Sequence, residues 1–176
     1  MSNSYRIAIS GKSGCGNSSV SRIVSERLNL RLINYTFHDI ARERGVAFEE
    51  ICMLAEKDPQ YDLKLDKRQV QMASGGNCVL GSRLAIWLLE DADLKVYLDA
   101  PVEVRALRIA KREKTPYEET LKKTINRDRR DRERYLKLYG IDIDDFNFAD
   151  LIINTEEGDQ FFVAERIIDS LPLHSG

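Results

Sequence analysis

The run Gly11-Lys12-Ser13-Gly14-Cys15-Gly16-Asn17-Ser18-Ser19 places three glycines and several hydroxyls where a backbone could wrap an anion. Glycine tolerates the tight turns that aim successive N–H groups at phosphate oxygens, and a following helix adds the positive end of its dipole. The phosphate-loop pattern is G-x-x-x-x-G-K-[ST]. Gly11, Gly16 and Ser18 satisfy it, with Ser18 in the place of the magnesium-binding hydroxyl, but the lysine position holds Asn17. Asparagine donates hydrogen bonds and carries no charge, so the positive charge for β- and γ-phosphates falls to arginines or to Lys12. Cys15 lies at the helix N-terminus, which can lower a thiol pKa, but it reads better as the filler of a small-residue slot.

Arginines supply the second part of the chemistry. Phosphoryl transfer asks little covalent help of a protein but needs cations that align two anionic substrates, work to which the guanidinium fork is suited. Arg83 follows an apolar run, and Arg42 follows another. Arg105, Arg108 and Arg112 recur at spacings of three and four, so they share part of one helical face. The segment Arg127–Arg134 reads either as a solvated helix of paired charges or as a phosphate site. Arg42 and Arg83, at the ends of strands, favour phosphate.

The elements that must hold these residues alternate in type. Ile7–Ile9, Leu30–Tyr35, Cys78–Leu80, Leu94–Leu98 and Leu151–Ile153 read as five short apolar strands, with helical patterns between and after them. That alternation predicts an α/β fold, a parallel sheet flanked by helices, with ligands at the carboxyl edge of the strands. From Asp39 to Gly76 two or three helices succeed one another without a strand, the mark of a helical insertion. A second helical region starts at Thr115-Pro116-Tyr117-Glu118, a capping-box pattern with proline at the first helical position, and ends near Gly140.

Composition narrows the function classes. The chain has 176 residues, 43% of them hydrophobic, enough for one compact core with a mobile insertion. A net charge of −2 gives no reason to expect nucleic acid or an anionic membrane as partner, and the acids within Arg127–Arg134 cancel much of its field. Cys15, Cys52 and Cys78 lack metal or disulfide spacing and suit a reducing cytoplasm. Met1–Arg6 is polar, and no apolar run reaches the length of a signal sequence or membrane span. His38, near the second strand end, either meets an acceptor phosphate or sits at the surface. His174 belongs to the tail. Trp87, Phe161 and Phe162 read as core or helix-packing residues.

Beyond the loop, the strings DIARERG (Asp39–Gly45), DKRQV (Asp66–Val70), RLAIW (Arg83–Trp87), LDAPVEVR (Leu98–Arg105), RIAKRE (Arg108–Glu113), YGID (Tyr139–Asp142) and DLIINT (Asp150–Thr155) give nearly the whole chain a likeness. It resembles the nucleoside monophosphate kinases, and among them the short, archaeal-type cytidylate kinases, whose loop also lacks the lysine and reads Thr-Thr-Thr at Asn17–Ser19. The resemblance implies a P-loop kinase that transfers phosphate from magnesium-ATP to CMP or dCMP, working as a cytoplasmic monomer with small nucleotides as its partners.

It also implies roles for particular residues. Gly11, Ser13, Gly14, Cys15, Gly16, Asn17, Ser18 and Ser19 would hold ATP, with Ser18 on the metal. Arg42 and Arg83 match arginines that grip the acceptor phosphate, and Asp39 matches an acid near the acceptor and the metal's water shell. Arg108 corresponds to an arginine stacked over the donor base, and Arg112 to one meeting donor phosphates. Arg127, Asp131 and Arg134 fit an R-x-x-x-D-x-x-R arrangement that serves the pyrimidine nucleotide and the phosphates. Asp66 and Arg68 lie in what resembles the acceptor-base flap, about 39–76, and the arginine-rich lid spans about 112–140. One departure stands out: Leu80-Gly81-Ser82-Arg83 occupies the place of Leu-Glu-Gly-Arg, so an acid that helps hold magnesium is absent. With Asn17, that departure supports a rival reading, a catalytically weak or inactive nucleotide-binding protein acting through a partner. A kinase for another small acceptor, such as shikimate, is a third.

Overall fold

The computed structural model describes residues 5–172; Met1–Ser4 and His174 lie outside them. In chain order the elements are β1 (Arg6–Gly11), α1 (Asn17–Leu28), β2 (Arg31–Ile33), α2 (Phe37–Arg44), α3 (Phe48–Lys57), α4 (Gln60–Ala73), β3 (Cys78–Gly81), α5 (Ala85–Leu88), β4 (Leu94–Asp99), α6 (Val102–Glu113), α7 (Tyr117–Tyr139), β5 (Leu151–Asn154) and α8 (Gln160–Asp169). All five strands are parallel, in the order β2-β3-β1-β4-β5. β1 lies at the centre, with Ile7 opposite Val79 on one side and Leu94 on the other. The sheet expected from the alternating apolar runs is therefore present.

The strands' period of two divides the core into layers. Ile7 and Ile9 point to one face with Val79, Val96 and Leu98, where Val20, Ile23 and Val24 of α1 and Val163, Ala164 and Ile167 of α8 cover them. Ala8, Leu80 and Tyr97 point to the other face, under Ala73 of α4 and Ala85 and Ile86 of α5. Helices α2 to α4 enclose a core of their own, Ile40, Ala41 and Ile51, with Phe37, Phe48, Tyr61 and Leu65 against it. A fourth cluster joins Leu84, beside β3, to Tyr135 of α7 and to Ile143. None of the described helices is long and apolar enough to cross a membrane.

Three local expectations change. The second strand covers only Arg31–Ile33, because the chain leaves the sheet to start α2, where the Asp39 carboxylate accepts from the Thr36 N–H (2.8 Å) and from the Thr36 hydroxyl (3.0 Å). Thr115 does not cap α7. Lys114 turns left-handed (φ 55) and the Thr115 N–H donates to Ala110 O at 3.1 Å, so Thr115 closes α6 while Pro116 occupies the cap of α7. Phe161 and Phe162 are 50% and 42% exposed rather than core, since the inward stripe of α8 falls on Val163, Ala164 and Ile167. Phe162 packs over Gly158, where a Cβ would stand 2.3 Å from its ring.

Candidate active site

At the carboxyl end of β1 the chain turns through Gly14 (φ +80) and Gly16 (φ +92) into α1. Only glycine adopts these values without strain. At Gly14 there is also no room, for a Cβ would lie 2.7 Å from the Arg105 carbonyl oxygen. The loop encloses a cavity of about 350 Å³, lined by Gly11–Ser19, by Gly81, Ser82 and Arg83 at the end of β3, and by Arg112 and Arg127. The nine-residue run and three of the arginines singled out in the sequence thus meet around one space.

Arginines also hold the loop's shape. Arg105, 4% exposed, donates to Ala100 O and to Ser13 O, both at 3.1 Å, and pairs through Nη2 with Asp128 at 2.6 Å. Arg108 donates to Gly14 O (3.3 Å) and to both the hydroxyl (2.8 Å) and the carbonyl (2.9 Å) of Thr155. Arg112 is 67% exposed beside Glu113. Three arginines at one helical spacing therefore do different work: Arg105 is a buried clamp, Arg108 spans the loop and β5's end, and Arg112 stands in solvent at the cavity's edge.

Arg83 joins the loop to α7. Its guanidinium donates to Ser13 Oγ at 2.5 Å and forms an ion pair with Asp131, which also lies 3.4 Å from Arg134 and 4.0 Å from Arg127. Burial, with the repulsion of Arg127 and Arg134, pushes Arg83 down to about 10, so it is charged at neutral pH. One carboxylate thus lies among three arginines and offsets part of their mutual repulsion. Beyond them α7 meets the insertion: Arg134 lies 3.7 Å from Asp62, and the Tyr139 hydroxyl donates to Asp66 at 2.5 Å. Burial, helped by the nearby Asp62, pushes Asp66 up to about 6 despite that hydrogen bond.

The Asn17 side chain is taken up by partners within the protein. Its Nδ2 donates to Ile9 O at 2.9 Å and its Oδ1 accepts from Ser21 Oγ at 2.8 Å. Gly81 lies directly against this pair, for a Cβ there would stand 2.4 Å from Ser21 Oγ and 2.9 Å from Asn17 Oδ1. Two departures that look independent in sequence are one packing unit. The neighbouring Ser82 Oγ, on the cavity wall, is buried without a hydrogen-bond partner.

Residues 6–157 match the model of the Cytidylate kinase-like family. This chain belongs to that family. Named relatives include Cytidylate kinase 2 of Borrelia garinii subsp. bavariensis, 47% identical over 94% of this chain and 96% of that protein. Cytidylate kinase of Pyrococcus horikoshii is 41% identical over 94% of this chain and 88% of its own length. Among solved structures, shikimate kinase from Acinetobacter baumannii in complex with shikimate aligns with a TM-score of 0.64 at 21% identity, covering 96% of this chain and 93% of that one. Deoxyadenosine kinase from M. mycoides with bound dATP aligns at 0.51 and 18% identity, covering 93% and 97%. These two establish the fold, that of the P-loop kinases.

For a kinase of this family the substrates are nucleotides, and the site residues expected from the sequence fall into two groups. Those of the loop, with Arg83, Arg112, Arg127, Asp131 and Arg134, gather around or beside the cavity. Asp39, Arg42 and Arg68 stand on α2 and α4 and do not line it. Asp39 caps α2 and pairs with Arg42 at 2.5 Å, and Arg42 is 78% exposed. Those hydrogen bonds, with the Arg42 charge, hold Asp39 below the usual carboxylate range against the opposing cost of burial. His38 is exposed and stacks on Phe48 at 3.7 Å between ring centroids, the surface position. Cys15 is 2% exposed and burial raises its thiol, which fits a small-residue slot. Sequence reasoning passed over Asp128, the partner of Arg105, because it sits in a run of alternating charges where no single acid is distinguished.

Proposed function

We propose that this chain transfers the γ-phosphoryl group of ATP to CMP or dCMP, acting as a monomer without nucleic acid. The observation that carries the reading is the cluster of Arg83, Arg127 and Arg134 around Asp131 at the rim of the phosphate-loop cavity. An acceptor monophosphate can exchange with that carboxylate and keep the arginines neutralised, while the loop's N–H groups and the α1 N-terminus receive the donor. Helices α2 to α4 form the acceptor side and the α6–α7 arm the lid. Closing them brings Arg112, Arg127 and Arg134 over the phosphates and excludes water. Arg83, fixed to Ser13 on the donor loop, spans both substrates. No residue need act as a strong base.

The site suits magnesium carried in with ATP. Ser18 and the unpartnered Ser82 hydroxyl lie on the cavity wall, and no cluster of three His, Cys, Asp or Glu side chains occurs among the described residues. That donor set fits an ion held by phosphates, waters and one or two protein oxygens rather than a resident metal. Bound there, magnesium neutralises the charge that develops on the transferred group.

The rival reading of lost catalysis rested on Asn17 and Gly81, and both have a packing role. The test is a coupled ADP-release assay with ATP and magnesium against CMP, dCMP, UMP, AMP, GMP and shikimate, corrected for acceptor-free hydrolysis. Turnover confined to CMP and dCMP is expected. Turnover with shikimate alone, or none with any acceptor, overturns the reading.

A further inference from the structure

Asn17 is neutral and hydrogen-bonded to β1 and α1, so the phosphate loop has a single side chain able to bring a full positive charge from within its own length. Lys12 is the sole lysine of Gly11–Ser19, and it lines the cavity. Its Nζ pairs at 2.5 Å with Asp144, on the segment that follows α7. This tether is replaceable. Asp144 has a second cation, Arg132, at 3.3 Å, and Asp142 holds Arg132 in place through two hydrogen bonds of 2.8 and 2.6 Å. The Asp142 carboxylate also accepts from the Asp144 N–H at 3.0 Å, so the acidic segment keeps its shape without Lys12. Lys12 can leave without stranding a charge.

We infer that Lys12 supplies to the donor phosphates the charge missing at Asn17, and that Asp144 is its partner while no nucleotide is bound. ATP then takes Lys12 from Asp144, and Arg132 takes over the carboxylate. The other cations on the wall are shared: Arg83 stands between donor loop and acceptor side, bonded to Ser13 and Asp131, and Arg112 and Arg127 belong to the arm that closes later, so Lys12 is the one cation carried by the donor loop itself. The inference rests on the kinase reading for its ligand, a nucleoside triphosphate.

A surface salt bridge that merely stabilised the loop would make removal of either partner act in the same direction. An exchange predicts opposite signs. Isothermal titration of ATP with magnesium, without acceptor, is run on the full chain and on Lys12→Met, Asp144→Asn and the double variant, each checked for its melting temperature. Lys12→Met weakens ATP binding by about 10- to 100-fold, the loss of one charge-assisted phosphate contact. Asp144→Asn tightens it by about two- to fivefold, the weight of a partly exposed ion pair. The double variant matches Lys12→Met. A Lys12→Met affinity within twofold of the parent, or weaker binding by Asp144→Asn, overturns the inference, and the second result stands even where Lys12→Met fails to fold. The acceptor panel reads independently: these shifts without CMP turnover would sink the kinase reading alone, and CMP turnover without the shifts would sink this inference alone.

Discussion

Replacing Gly81 by alanine tests whether Asn17, Ser21 and Gly81 act as one unit. The added Cβ would lie 2.4 Å from Ser21 Oγ, 2.9 Å from Asn17 Oδ1 and 2.9 Å from Ser21 Cβ. Rotating the Ser21 hydroxyl away relieves the first contact but breaks its 2.8 Å bond to Asn17, and no rotation moves the Ser21 Cβ. Ser21 is 1% exposed, so solvent cannot take up the strain. Overpacking costs about 1–3 kcal/mol, and the lost hydrogen bond adds about 0.5–1.5 kcal/mol. Gly81→Ala should therefore lose about 2–4 kcal/mol, or about 5–15 °C of melting temperature for a chain of this size. Gly81→Glu, which restores the acid of the family pattern, should lose at least as much and gain no activity. Ser21→Gly removes the colliding Cβ, so adding it to Gly81→Ala should recover part of the loss in a double-mutant cycle read by urea unfolding. A Gly81→Ala protein within about 0.5 kcal/mol of the parent, near the resolution of additivity tests, would refute the packing argument and return Gly81 to the status of a missing metal ligand.

Arg83→Ala should lower kcat/KM for CMP by about 10³-fold, at the lower end of what a transition-state arginine supplies. The melting temperature should move only a few degrees, because Asp131 keeps Arg134 at 3.4 Å and Arg127 at 4.0 Å; steady-state kinetics that leave kcat/KM unchanged would remove Arg83 from the site. Arg105→Ala should cost about 3–5 kcal/mol in urea unfolding, since it leaves Asp128 and the Ser13 carbonyl without their buried partner. Asp66 has its folded-state pKa raised to about 6, above an unfolded value of about 3.9. Its contribution to stability is full below about pH 4 and is lost as pH rises through 6. Asp66→Asn, which still accepts from Tyr139, should flatten that decline and stabilise the protein by about 1–3 kcal/mol at pH 7.5, measured as unfolding free energy at pH 4.5, 6 and 7.5.

The parts of this fold most legible in sequence are those whose signals are local. Ile7–Ile9 closing on glycines, followed by Val20, Ile23 and Val24 at helical spacing, is enough to place a strand, an anion loop and a helix. The end of α7 at Gly140 follows from glycine's access to φ 68. What could not be read depends on contacts between distant segments. A Cβ at position 81 would stand only 2.9 Å from Asn17 Oδ1, but in the chain nothing relates the two residues, so they resemble two separate losses. Arg105 and Arg112 share a helical spacing, yet one is clamped beneath the loop and the other stands in solvent, because only the first turns of α6 pack on Gly14. The exposure of Phe161 and Phe162 escapes the sequence for a related reason, although Phe162 does pack, over Gly158. An aromatic pair at a helix start carries no periodicity of its own, and the stripe that α8 buries is set one residue later.

The strand order has a consequence for how the protein is made. β1 and β2 are each paired only with strands that begin at Cys78 or beyond. At a synthesis rate of about 5–20 residues per second, the central strand therefore waits roughly 4–14 s after leaving the ribosome's catalytic centre before its first neighbour has been polymerised. During that interval Ile7, Ile9 and the apolar stripe of α1 have no sheet to join, and folding begins only with a closure over some seventy residues. The insertion α2–α4, which has its own small core, lies within the loop that this closure shuts, so its three helices are drawn to the sheet's edge in the same step that joins β1 to β3.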